Sequence, residues 1–524
     1  MPTAIPSASA SSVRRALRDR AEIGLLDVRP EGRFAAGHPL FAASFPLGRL
    51  EAEVFDRLPR RSVPLVVYGD GPGDGPGDGP GKGTADAATA ARRLRGLGYQ
   101  DVSLLAGGLA GWTAAGGELF ADVNAPSKAF GELVAATAGT PDVTARDLQA
   151  MLRDRGNVIV VDARRFEEYQ TMSIPTATSV PGAELVLRVG ELAPDPATTV
   201  VVNCAGRTRS IIGAQSLINA GLANRVLALR NGTIGWTLAG LMLDHGQARR
   251  APEVPAASAR RARAVAWAVA ARAGVRQISS AELRSLADGG HRTVYRFDVR
   301  TPEEYVTGHP AGFRPAPGGQ LVQETDWFAP VRGALVVLAE DTGGRAAMTA
   351  SWLAQMGWEV VLLRVAGHLV SGPWQPTRPA LPAVPLIGPD ELDTGLRAGR
   401  ARLIDIDTSR QFLAGHIPGA AWALRSDLPC GRLVLTSEDG TLAAFAAAEV
   451  GGTALAGGTA GWAASGRPLQ AGQGEMLSAP EDAYRRPYEG TGVDPAAMQA
   501  YLDWEYGLVA QLERDGTHGF AVLT

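Results

Sequence analysis

The chain has 524 residues, and at roughly 150 residues per domain that length corresponds to more than three domains, beyond what one core organises. Hydrophobic residues make up 45% and charged residues 20%, which excludes a mostly disordered chain. The 51 basic and 54 acidic residues leave a formal charge of −3, which excludes a global basic field for nucleic acid or anionic lipid. Lys82 and Lys128 are the only lysines, so the positive charge is almost all Arg. The two cysteines, Cys204 and Cys430, can build neither a disulfide framework nor a Cys-rich zinc site, and they suit a reducing cytosol. The N-terminus, MPTAIPSASASSVRRALRDR, lacks the apolar stretch of a secretory signal. No run of about 18 apolar residues marks a membrane span. These features predict a soluble cytoplasmic protein that needs no metal and no cofactor.

Taken in chain order, four segments open with a short apolar run ending in an acid, at Asp27, Asp162, Asp298 and Asp405. These acids are 135, 136 and 107 residues apart, which reads as a fourfold duplication. Three of the segments carry a Gly-His pair eleven residues after the acid, at His38, His309 and His416, and Ser173 takes that place in the second. Each repeat later reaches a Gly-rich turn ending in Trp, at Trp112, Trp236, Trp374 and Trp462. β-Branched runs such as Val158–Val161 and Thr198–Val202 read as buried parallel strands. Ala85–Leu97 and Ser210–Ala220 read as helices, and the alternation predicts an α/β unit with a parallel sheet.

The joints are legible as well. Residues 121–140 read as a small-residue connection. The stretch SARRARAVAWAVAARAG, ending at Gly274, reads as a helix packed between domains, with a membrane-surface helix as the alternative. Five prolines in 373–385 mark a stiff spacer. The tail, 468–524, contains the amphipathic Ala497–Leu512 and packs back on the body or on a second subunit, the latter giving a homodimer. The insertion Gly69–Gly83 is low-complexity and predicts a flexible loop. Its Gly81-Lys82 fails as a phosphate loop, because Pro stands at position 76 and Gly83 follows the Lys.

One loop looks reactive. In the second repeat a strand runs into Cys204-Ala205-Gly206-Arg207-Thr208-Arg209-Ser210, and a helix follows. Backbone N–H groups at a strand-to-helix turn favour an anion, and two Arg add positive charge. Cys204 is therefore expected to ionise below the free-thiol value of about 8.5 and to act as a nucleophile. Cys430 follows a turn with no such loop and reads as inert.

The Asp-x-Arg start, the Gly-His segment, the Cys-x-x-x-x-Arg loop and the Gly-x-x-Gly-Trp ending together resemble the rhodanese (sulfurtransferase) superfamily. The resemblance implies four tandem domains, each a small five-stranded parallel sheet flanked by helices, at 11–120, 141–247 (catalytic), 275–376 and 384–467, with a helical tail at 468–524. It implies that Cys204 takes sulfane sulfur from a small anionic donor, becomes a persulfide, and passes the sulfur to a thiol, to cyanide or to an acceptor protein. Residues Ala205, Gly206, Arg207, Thr208 and Arg209 would bind the donor. Phosphatases of related fold carry Cys-x5-Arg, whereas Arg209 is the fifth residue after Cys204, and the shorter loop suits a single sulfur. The charged loop favours thiosulfate or a related persulfide donor over mercaptopyruvate. A sulfur carrier or scaffold with little small-molecule turnover is the alternative.

In the other repeats Gly69, Ala339 and Ser437 are expected at the Cys204 position, so those domains read as silent, and the first is expected to wall the catalytic site. The repeated Asp and His residues are expected to hold the fold, and the repeated Trp residues to anchor cores. Arg164 and Trp236, near the loop in the fold that the resemblance implies, are expected to reach the donor.

Overall fold

The structure, a computed structural model, describes residues 4–71, 82–339, 341–365 and 368–524. Most of the insertion Gly69–Gly83, Gly81 included, lies outside the described residues, and a helix begins at Lys82. In the second repeat the sheet runs Asp142–Val143, Val226–Leu229, Thr199–Asn203, Val158–Asp162, Thr178–Ser179, with every pair parallel. Val200, Val201 and Val202 are all buried, as expected of a central strand covered by helices on both faces. The third repeat repeats this order with Arg276–Ile278, Glu359–Leu363, Leu335–Ala339, Val294–Asp298 and Arg314–Pro315.

The first and fourth sheets each gain a sixth strand. Val331–Arg332 of the third repeat pairs antiparallel with Ile23–Asp27 of the first. Glu475–Met476 pairs parallel with Ala421–Trp422, so the segment read as a helical tail starts with a strand. Both additions satisfy backbone groups that a free sheet edge would leave unpaired.

The repeated residues hold the fold as expected. Asp27, Asp162 and Asp298 are buried at strand ends, each ion-paired to the Arg two residues on. His38, His309 and His416 each donate a ring N–H to a local carbonyl and stack on an aromatic ring in the preceding helix. Trp112, Trp236 and Trp462 are buried, with indole N–H groups on the carbonyls of Glu118, Met242 and Pro468. Trp374 departs from the pattern: it is half-buried and donates to Asp56 of the first repeat at 3.0 Å.

Connections that looked like spacers carry much of the interdomain packing. Residues 121–140 contain the helix Ala125–Ala138, buried along most of its length because its small residues let neighbouring helices approach. Its Phe130 meets Trp352 and Phe520 edge-on, with ring centroids 6.0 and 5.3 Å apart. The helix Ala256–Arg272 buries Ala262, Ala266, Val269 and Ala270 and packs against helices Leu185–Leu192 and Arg345–Gln355, as the interdomain reading expects. The tail helix Pro495–Asp515 lies on its own chain, against Ala125–Ala138 and Gly232–Leu238. Among the described residues no helix is long and apolar enough to cross a membrane.

Two predictions follow from this packing. Phe130→Ala removes a ring shared by three segments and should cost about 3–5 kcal/mol, read as a lower urea midpoint. In the fourth repeat Asp407 stands where the other repeats have Arg. Burial pushes the Asp405 carboxyl up to about 7. An acid raised in the fold supports stability that is full below its unfolded value of about 3.9 and declines as pH rises towards the folded value. Asp405→Asn should flatten this decline and stabilise the chain at pH 8 on the order of 2–4 kcal/mol; an unchanged melting profile across pH 5–8 would refute the assignment.

Candidate active site

Cys204 follows the strand Thr199–Asn203, and the helix Thr208–Asn219 begins four residues later. The turn between them is held from behind. The Thr233 amide donates to the Cys204 carbonyl at 2.9 Å and the Ile234 amide to the Ala205 carbonyl at 3.0 Å. Asn231 and Gly232 both take left-handed backbone, at φ 63° and 52°, and a Cβ on Gly232 would stand 2.3 Å from the Cys204 carbonyl oxygen. Only glycine fits there, which explains the first Gly of the Gly-x-x-Gly-Trp ending. With those carbonyls taken up, the amides of residues 205–207 donate to no backbone carbonyl among the described residues. Together with the first-turn amides of the helix they form a concave donor set suited to an anion.

The two arginines divide the work. Arg209 makes a two-pronged pair with Glu168, at 2.7 and 2.9 Å, and its charge pulls the Cys204 thiol downward. Burial pushes the Glu168 carboxyl up, but Arg209 outweighs it and holds the group far below the usual carboxylate range. Arg207 instead grips Glu132 of the helix Ala125–Ala138, at 2.7 and 2.8 Å, and also donates to Asn231 and to the Tyr506 hydroxyl. Four of its N–H donors are thereby used within the fold. Arg164 and Trp236 are likewise spent on structure: Arg164 bonds Asp162 and the Met172 carbonyl, and Trp236 belongs to the core.

Cys204 is 2% exposed. Burial pushes its thiol up, against the opposing pull of Arg209 and of the Ser210 amide and hydroxyl, while Glu505 adds to the rise. The expectation of a lowered thiol is therefore reversed. Both loop arginines are neutralised by carboxylates, so the field that the sequence promised is largely spent.

The wall of the site is also not the one expected. Ala205 and Ile234 pack in one apolar cluster with Tyr488, Met498, Tyr501 and Leu502 of the tail. Lys128 of the connecting helix is buried beside Asp122, at 2.7 Å, and its ammonium lies 5.1–5.6 Å from the rings of Tyr488, Tyr501 and Trp504. Gly318, Gly319 and Val322 of the third repeat line a small cavity, about 40 Å³, beside Thr208 and Arg209. Tail, connecting helix and third repeat surround the loop, in the place assigned to the first repeat.

Strand register corrects one alignment. Asp162 is level with Asn203, Asp27 with Tyr68 and Asp405 with Thr436, which puts Gly69 and Ser437 at the Cys204 position. In the third repeat Phe297 is level with Leu338, so Ala339 matches Asn203 and not Cys204. The next residue, Glu340, lies outside the described residues. Glu168, Glu132, Tyr501 and Glu505 were not found by sequence reasoning. Only Glu168 left a signal: it lies six residues after Asp162, as Glu304 lies after Asp298, and each pairs with an Arg 41 residues on.

A family model described as Rhodanese-like domain matches residues 9–115 and 144–239. The repeated parallel sheets are those of this class. A crystal structure of a thiosulfate sulfurtransferase from Pseudomonas aeruginosa is 52% identical, covering 99% of this chain and 100% of that one, with a TM-score of 0.94. The chain belongs to the rhodanese superfamily and is a rhodanese-type transferase. It is also 37% identical over 94 residues to an HTH-type transcriptional regulator of Mycobacterium tuberculosis; the match takes in 18% of this chain and 41% of that protein's length.

The balance at the thiol is directly measurable. In Cys430→Ser protein, alkylation of Cys204 by iodoacetamide should rise with pH through a midpoint above the ordinary value of about 8.5. A midpoint below that value would mean the loop amides and Arg209 outweigh burial.

Proposed function

We propose that the chain is a thiosulfate-type sulfurtransferase that works by ping-pong transfer through a persulfide on Cys204. The observation that carries this reading is a nucleophilic side chain centred in an amide-lined turn whose length, four residues between Cys204 and Arg209, suits one sulfur atom. The Cys204 thiolate attacks the outer sulfur of thiosulfate, and the S–S bond breaks with its electron pair leaving on sulfite. An acceptor thiolate or cyanide then attacks the outer sulfur of the persulfide, and the Cys204 thiolate departs. The amides of residues 205–209 stabilise the negative outer sulfur, and Arg209 offers its remaining N–H groups to the donor. Arg207 serves by fastening the loop to Glu132. The Pseudomonas relative supports thiosulfate as donor, and the cysteine usage supports a cytoplasmic setting.

The units 11–120, 275–376 and 384–467 are read as silent domains beside the catalytic unit 141–247. Their loops lack a thiol, and two of them are filled by their own side chains. The Asp341 carboxylate accepts from the Gly343 and Ala346 amides, at 2.9 and 3.0 Å. In the fourth unit the Ser437 hydroxyl accepts from the Ala443 amide and Asp439 from the Thr441 amide. An acid in such a loop takes the place of an anionic ligand and repels it. The burial of Cys204 under the tail favours a second reading, a sulfur carrier that trades sulfur with protein partners and turns over small molecules slowly.

Intact mass after brief thiosulfate treatment tests the proposal. Wild type should gain one sulfur atom and release it as thiocyanate on adding cyanide, while Cys204→Ser should gain none. A gain retained in Cys204→Ser would move the chemistry to Cys430. Persulfide formation with at least a hundredfold slower discharge to cyanide than to a protein acceptor would select the carrier reading.

A further inference from the structure

The tail brings to the sulfur cradle an acid that the reaction above does not use. Glu505 lies in the helix Pro495–Asp515 and is 1% exposed. Its Oε1 accepts from the Tyr501 hydroxyl at 2.8 Å. Its Oε2 is buried with no hydrogen-bond partner among the described residues. That oxygen points at the loop: a Cβ added to Gly206 would stand 3.0 Å from it and 3.1 Å from the Tyr501 ring. The acid occupies the space that a side chain two residues after Cys204 would fill. Buried polar atoms are otherwise almost always satisfied, and an orphan calls for an explanation.

The neighbours do not supply one. Lys128 is committed to Asp122, and Glu132 is committed to Arg207. The cations nearest the cradle are already balanced by carboxylates, so the loop lacks a free charge for an anionic donor. What it has is one oxygen facing it without a partner.

We infer that Glu505 is a specificity-determining residue of this site: as a neutral acid it donates a hydrogen bond from Oε2 to an anionic oxygen of a sulfonyl-type sulfur donor, the class to which thiosulfate belongs. The inference rests on the sulfur-transfer reading and adds donor recognition to it. Charge state agrees with the geometry. Burial pushes the Glu505 carboxyl up to about 8, with Glu132 adding to the rise and Lys128, Tyr501 and Arg207 opposing it. Near neutral pH the group carries the proton that it would donate. Once ionised it would present a carboxylate to a dianion and repel it. Donor affinity therefore falls as pH passes through the Glu505 value.

The groups facing Glu505 are Lys128 and Glu132 on the connecting helix, Arg207 and Cys204 on the loop, and Tyr501 within the tail helix, beside which Tyr488 stands. Cys204 also loses a proton in the alkaline range, so the test removes it. Thiosulfate affinity is measured by titration calorimetry on full-length Cys204→Ser between about pH 7 and pH 9. The dissociation constant should rise about tenfold over that span, as loss of one required proton demands. With Glu505→Gln added, an amide that donates at every pH, the slope should vanish. With Glu505→Ala added, binding should be weaker throughout. Tyr501→Phe removes a bond that lowers the Glu505 value, so it should move the slope to higher pH while keeping the acid in place; it serves if Glu505→Gln fails to fold, as judged by its melting profile. A slope that persists in Glu505→Gln, no slope in Cys204→Ser alone, or no thiosulfate binding at pH 7 overturns the assignment. Failure of wild type to take up sulfur would strike the sulfur-transfer reading, whereas uptake with a slope indifferent to Glu505 overturns only the role of this residue.

Discussion

The cradle depends on two backbone hydrogen bonds, from Thr233 to Cys204 and from Ile234 to Ala205. They engage the carbonyls of the turn and leave its amides without backbone acceptors, which is the condition for holding negative sulfur. Those bonds in turn require Gly232 in left-handed backbone against the Cys204 carbonyl. The same arrangement recurs in the fourth repeat, where Thr459 and Ala460 bond the carbonyls of Ser437 and Glu438. The scaffold of the site is thus a property of the repeat, and the thiol is what distinguishes the second copy.

Charge balance governs what the site can do. Each loop arginine is matched by a glutamate, Arg209 by the half-buried Glu168 and Arg207 by the buried Glu132. A buried guanidinium without such a partner would be costly, so the pairs preserve the fold while reducing the net field at Cys204. Burial then dominates the thiol, and it rises where two nearby arginines alone would lower it. On the proposed function, recognition of an anionic donor falls to directed hydrogen bonds, from loop amides and from groups brought by the tail, more than to bulk positive charge.

Duplication explains why the molecule is one body and not four beads. Each sheet has a free edge, and two of these edges are closed by strands borrowed from elsewhere: Val331–Arg332 from the third repeat and Glu475–Met476 from the tail. The connecting helix Ala125–Ala138 is small-sided enough to sit between the helix Thr208–Asn219 and the tail helix. The third repeat, a connection and a tail therefore set the surroundings of Cys204.

The repeats, the α/β pattern, the strand-to-helix turn at Cys204 and the structural roles of Asp27, Asp162, Asp298 and of His38, His309 and His416 were legible in the sequence, because each rests on local spacing: a strand, a turn, an acid with an Arg two residues on. The helical character of 125–138 was hidden by its small residues, which lack a polar–apolar period when every face is buried. Strand register, which shifts the third repeat by one residue, was equally invisible because β-branched runs look alike in either phase. The sequence by itself determined the family and singled out the candidate nucleophile, since a thiol between a strand and a helix is a local fact. Only the tertiary structure decided the state of that thiol and the identity of its wall. Glu505 lies 301 residues beyond Cys204 and Glu132 lies 72 before it, and the burial and charge they impose arise from contacts that no local spacing encodes.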